Sequence, residues 1–184
     1  MRTFTVKDLM IPIEEYPTIL QQATLRDAVL ALEKAQTKLD PSQYRHRAIL
    51  VLDESGKVIS KITMKNIMIA LEPNYGKLEG MGVLIRSGYS PELIKSMLAT
   101  NALWHKPLQL VCERASKQKV SDFIQPILDS EYIDENAILG EALHQLVVYP
   151  YHSLMVTRDD EVVGIVRLSD VFQKVCDEIK ACES

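Results

Sequence analysis

The chain has 184 residues, 47% of them hydrophobic, with a formal net charge of −4. That content is globular rather than disordered, and the acidic balance excludes a general nucleic-acid binder, which needs a basic face. Cys112, Cys176 and Cys182 form no CxxC pair and combine with the histidines into no zinc spacing, so the sequence reads as a cytoplasmic protein with reduced thiols and no metal. No apolar run has the form of a signal peptide or the length of a membrane span.

In chain order, Val6-Lys7-Asp8-Leu9-Met10-Ile11-Pro12 predicts a short helical turn ended by the proline. An extended piece follows from Tyr16 to Leu20. Thr24 and Asp27 make a capping-box pair, opening a helix with the stripe Leu25, Ala28, Val29 and Leu32. The polar residues from Lys34 to Ser42 read as a loop, His46 to Leu52 as a strand and Asp53 to Lys57 as a turn. Val58 to Thr63 is a second strand, running directly into a helix with the stripe Met64, Ile67, Met68 and Leu71.

Residues 73–117 predict two further helices. One starts at Ser90-Pro91-Glu92 and is apolar at Leu93, Ile94, Met97 and Leu98; the other starts near Pro107, with Leu108, Val111, Cys112 and Ala115 on one face. Trp104 lies between them as a core anchor. This insert reads as a cap on the rest of the chain, or as a docking surface or lid.

From Val120 the pattern returns. Val120-Ser121-Asp122-Phe123-Ile124-Gln125-Pro126 follows the opening motif 114 residues later, and Glu131 to Ile133 matches the extended piece. Leu139, Ala142, Leu143 and Leu146 repeat the helix stripe, with Ile138 in the place of the capping Thr24. His152 to Thr157 and Val162 to Val166 repeat the strands, and Leu168, Val171, Phe172 and Val175 repeat the last stripe. Each copy is strand, helix, strand, strand, helix in about 60 residues, too few to bury a sheet alone, so the copies are expected to pack together. The expected division is repeat 1 at 1–72, insert at 73–117 and repeat 2 at 118–184, an α/β (α+β) fold.

The opening Asp8-Leu9-Met10 and Asp122-Phe123-Ile124, the paired apolar strands, and Gly164-Ile165-Val166 followed by Asp170 resemble a pair of cystathionine β-synthase (CBS) domains, or Bateman module. His46-Arg47 before a strand and Ile165 to Asp170 are similar to elements of the gamma subunit of AMP-activated protein kinase. The resemblance covers both repeats, not the insert. It implies two sheets related by a pseudo-twofold axis, with two clefts between them that take AMP, ADP, ATP or S-adenosylmethionine as a regulatory ligand. It further implies no required cofactor, an effector protein as partner, and a homodimer.

In that family a Ser or Thr closes the last strand of each repeat and an Asp three residues later holds the ribose diol. Here the pairs are Thr63 with Asn66 and Arg167 with Asp170. Asp170 is therefore the expected ribose ligand; the plainer alternative is a helix N-terminal residue paired with Arg167. The Asn66 cleft is expected to be weaker or empty. Arg47 and His46 are candidates for phosphate, with a solvated strand entrance as the alternative, while Arg167 would join them or block the cleft. Ile49, Leu154 and Met155 are candidates to flank adenine and are core residues in either case. His105, His144 and His152 read as surface or packing residues. No nucleophile–base motif or Walker loop is present, so the expectation is a binding module and not an enzyme. The competing reading is a ligand-independent interaction or dimerisation module with vestigial clefts. Dimerisation is expected through Ile67, Ile69, Phe172 and Ile179.

Overall fold

The computed structural model describes residues 4–38, 44–71, 90, 92, 96 and 107–182. Trp104, His105 and most of the helix expected from Ser90 lie outside these residues. Repeat 1 contains β1 (Ile11–Pro12), β2 (Thr18–Leu20), α1 (Leu25–Lys38), β3 (Ala48–Leu52), β4 (Val58–Thr63) and α2 (Met64–Leu71). From the insert comes α3 (Leu108–Ser116). Repeat 2 contains β5 (Tyr132–Asp134), α4 (Leu139–Val148), β6 (Ser153–Arg158), β7 (Glu161–Arg167) and α5 (Leu168–Ala181).

Local chemistry explains the boundaries. The Asp27 carboxylate accepts from the Thr24 hydroxyl at 2.7 Å and the Thr24 amide at 3.0 Å, so α1 begins with the expected reciprocal cap. Ile138 gives α4 no side-chain cap. One expectation is corrected: α1 continues through Lys38, although the residues from Lys34 read as loop. Glu33, Lys34, Ala35 and Gln36 are strong helix formers; Glu33 and Lys34 mark the solvent side, while Gln36 turns in to the His46 carbonyl. The β6–β7 hairpin turns on Asp159 and Asp160, both left-handed, at φ 50° and 65°. Two such residues are what a two-residue hairpin requires to match strand twist.

In repeat 1, β2 pairs parallel to β3, with α1 as crossover, and β3 pairs antiparallel to β4. The sheet of repeat 2 has the same core, β5-β6-β7, and gains β1 as a fourth strand on β7. That strand comes from repeat 1. The Val6 amide also donates to the Ala137 carbonyl, and the Leu139 amide to that of Phe4, both at 2.9 Å. The exchange is reciprocal: the Val120 amide donates to the Ala23 carbonyl at 2.8 Å, and Leu25 to Gln118 at 2.9 Å. Each repeat therefore completes its core with the segment that precedes the other. Val6 packs with Leu154 and Val156, and Val120 with Ile49 and Val51. Each such buried aliphatic side chain contributes about 1.5–3 kcal/mol.

A third cluster joins the two sheets face to face, through Tyr16, Leu50, Val58, Met155 and Ile165. The insert helix α3 buries Val111 and Ala115, the latter against Leu25 and Ala70, while Leu108 and Cys112 of its expected stripe are exposed. No helix among the described residues is long and apolar enough to cross a membrane.

Candidate ligand-binding clefts

Strand alternation decides which side chains reach the boundary between the sheets. On β3, Ile49 and Val51 point to the helix side, while Ala48 and Leu50 face the other sheet. On β6, Leu154 points to the helix side and Met155 faces the other sheet. Of the three adenine candidates, Met155 alone is thus at the sheet–sheet face; Ile49 and Leu154 are sealed in separate helix-side cores. The polar ends of the same face form two corners, one from each pairing of the repeats.

The first corner joins Arg167 and Asp170 of repeat 2 to Tyr16, Tyr44 and His46 of repeat 1. Arg167 ends β7 and Asp170 stands in the first turn of α5. The guanidinium grips the carboxylate with both arms, Nε to Oδ2 and Nη2 to Oδ1, each at 2.6 Å. Its remaining nitrogen, Nη1, donates to the Tyr44 carbonyl at 2.9 Å and lies 3.4 Å from His46 Nδ1. Because a guanidinium can only donate, Nδ1 is the acceptor and His46 is neutral with its proton on Nε2. Consistently, burial first and the Arg167 charge second hold the imidazole below its ordinary pKa. The Tyr16 ring meets His46 edge-on at 4.6 Å, and burial pushes the Tyr16 hydroxyl up to about 12.

Asp170 is thus not at an exposed helix start: its side chain is only 17% exposed and both oxygens are engaged. His46 is buried, whereas Arg47 is exposed. Arg47 lines a cavity of about 480 Å³ with Leu32, Glu33, Gln36, Tyr44, Arg45, His46 and Met64. The Gln36 amide donates to the His46 carbonyl at 2.5 Å, and its own oxygen is buried with no partner among the described residues. The structure brings His46, Arg167 and Asp170 together, with Arg47 on the cavity behind His46.

At the second corner, Thr63 and Asn66 face each other. The Thr63 amide and hydroxyl donate to Asn66 Oδ1 at 2.9 and 2.5 Å, and the Asn66 amide donates to Thr63 Oγ1 at 3.2 Å. They form a reciprocal cap for α2. The cation here is Lys61, paired with Glu131 and donating to the Ser153 carbonyl at 3.0 Å, with its ammonium 5.6 Å from the Tyr151 ring centre. Tyr151, which strand register places where His46 stands in repeat 1, bonds Ser130 at 2.7 Å. Sequence reasoning missed Tyr16, Tyr44, Lys61 and Glu131. Lys61 stands opposite Leu50 in the β3–β4 register, on the face that meets the other sheet. His144 and His152 are exposed.

The fold and its two corners define a duplicated α/β module with polar clefts between the repeats. The CBS domain family model matches residues 6–73 and 120–177. The chain belongs to the CBS domain family and is a CBS pair. Its fold is similar to that of CBSX2 from Arabidopsis thaliana, at 14% identity and TM-score 0.62, over 97% of this chain and 99% of that one. A structure of CBSX2 in complex with AMP matches at 16% identity and TM-score 0.58, covering 96% and 98%. Protein MJ1004 from Methanocaldococcus jannaschii matches at 18% identity and TM-score 0.58, covering 95% of this chain, which spans 60% of that protein's length. No curated protein matches the chain.

Proposed function

We propose that this CBS pair is a regulatory module that binds an adenosine-containing ligand at the Asp170 corner and signals to an effector protein. The observation that carries the reading is the buried cluster of Asp170, Arg167 and His46, built from both repeats, whose His46 also lines a cavity that carries Arg45 and Arg47 beside Glu33. A carboxylate accepts from both hydroxyls of a ribose, and two guanidinium groups suit phosphate. AMP is the first ligand to test, since a neighbour of the same fold holds it; ADP, ATP and S-adenosylmethionine follow. The chemistry proposed is binding, not catalysis.

Calorimetric titration of the wild type, Asp170→Asn and Arg47→Ala with AMP and with adenosine tests this. Asp170→Asn should lose roughly 10- to 150-fold for both ligands, the worth of a charged hydrogen bond. Arg47→Ala should weaken AMP and leave adenosine unchanged. Unchanged AMP affinity in Asp170→Asn removes the ribose site. A second reading, a ligand-independent interaction module, is favoured by the fact that Arg167 already fills both Asp170 oxygens.

Assembly is the other part of the proposal. Phe172 and Ile179 on α5 are 58% and 60% exposed, and Met64 and Met68 on α2 are 48% and 54% exposed. Ile67, expected on this surface, instead packs inward against α3 and the repeat 1 core, and Ile69 is half-buried. A homodimer covering the Met64, Met68, Phe172 and Ile179 side chains follows from such apolar exposure. Sedimentation at micromolar concentration should give twice the chain mass, and Phe172→Glu with Ile179→Glu should return it to the monomer.

A further inference from the structure

We propose that Arg167 is an internal latch on the Asp170 corner, closing it until a ligand with a vicinal diol displaces the guanidinium. This rests on the ribose reading above and adds its regulation. Three observations carry it. First, the Arg167 side chain is 10% exposed, and its bidentate grip occupies both oxygens that a diol would need. Each oxygen keeps a second lone pair, so ribose and Arg167 compete for the end of the carboxylate that the guanidinium now grips, the end on which a diol would chelate.

Second, the same guanidinium ties repeat 2 to repeat 1 through the Tyr44 carbonyl and His46 Nδ1. Tyr44 also donates its hydroxyl to Gln173 on α5, at 3.4 Å. Releasing Arg167 therefore frees the 44–47 segment at its connection to β7 and α5, next to the exposed Phe172 of the same helix. Third, the equivalent position in repeat 1 has no such contact. Thr63 and Asn66 cap one another, and Asn66 reaches nothing across the boundary among the described contacts. An arginine has no acceptor and cannot cap α5, so its placement there serves the contact with Asp170 and repeat 1. Displaced, the guanidinium is free to turn toward the cavity that already holds Arg45 and Arg47, where it meets the ligand's phosphate.

Arg167→Thr separates the possibilities, because threonine can form with Asp170 the cap that Thr63 forms with Asn66, so α5 keeps its start. Wild type and Arg167→Thr are titrated with AMP and adenosine, and amide hydrogen exchange is followed at residues 44–48 without ligand and with saturating AMP. The latch predicts about tenfold tighter adenosine binding by the variant, the worth of one released charged hydrogen bond. It also predicts faster exchange at 44–48 in the ligand-free variant, matching the AMP-bound wild type. Equal or weaker adenosine binding by Arg167→Thr overturns the latch while the nucleotide reading stands. If neither protein binds AMP or adenosine, the nucleotide reading falls. The latch is then decided by exchange alone, and unchanged protection at 44–48 in the ligand-free variant overturns it too.

Discussion

Glu131→Ala is expected to destabilise the protein by about 3–5 kcal/mol, the cost of leaving one member of a buried ion pair without its partner. Lys61 and Glu131 have side chains only 12% and 10% exposed. Without the carboxylate, the ammonium keeps, among the described residues, the Ser153 carbonyl and the face of Tyr151. The loss is also local, because Glu131 accepts from the Leu128 amide at 3.2 Å and so closes the turn that leads into β5. Lys61→Met should cost less, since Glu131 keeps that amide. The double variant Lys61→Met with Glu131→Met should recover most of the loss, as apolar replacements of a buried pair often do. Urea unfolding of the two singles and the double gives the coupling energy directly. Singles that each cost under about 1 kcal/mol would mean the pair behaves as a solvated one. The pair bears on function as well. It crosses between the repeats at the corner that corresponds to the Asp170 corner, where Lys61 of repeat 1 and Glu131 of repeat 2 neutralise one another.

How much of this was legible in the sequence depends on the range of the interaction. The repeat, the order of elements and the first cap were legible because each is set within one or two turns: Thr24 with Asp27, and the stripe from Leu168 to Val175; Thr63 and Asn66 were read as cleft residues, and their reciprocal cap came from the structure. The exchange of leading segments was not. Val6 and Val120 read locally as short helical turns, and nothing near them in the chain says that each belongs to the core of the other repeat. The candidate site divides the same way. Arg167 and Asp170 are three residues apart, and their pairing was an open alternative from the start. Tyr44 meets Arg167 from 123 residues away along the chain, and Tyr16 joins the corner by packing on His46, which no local pattern announces. Lys61 was unreadable for a different reason. A lysine alternating with apolar residues usually marks a solvated face, and here that face is covered by a second sheet.

Gly164→Ala is expected to cost about 1–3 kcal/mol through overpacking, and to act on a strand from the other repeat. A β-carbon at Gly164 would stand 2.6 Å from the Ile11 carbonyl oxygen and 3.1 Å from the Met10 sulfur. The first of these is backbone and cannot turn aside. Relief requires β1 to leave β7, where it pairs Ile11 with Ile165 and Pro12 with Gly164. Repeat 1 shows what a side chain does at the corresponding place. Ser60 stands there, its hydroxyl donating to the Gln125 carbonyl at 2.5 Å, and Gln125 and Pro126 form no strand. Glycine on one side and serine on the other thus account, among the described residues, for one sheet having four strands and the other three. Gly164→Ser should therefore lose less than Gly164→Ala, since its hydroxyl can take the Ile11 carbonyl as Ser60 takes that of Gln125. Urea unfolding ranks the variants, and amide exchange at Ile11 and Ile165 should accelerate in both while β3 stays protected. A Gly164→Ala protein within about 0.5 kcal/mol of the wild type, with Ile11 still protected, would show that β1 does not depend on the close approach at Gly164.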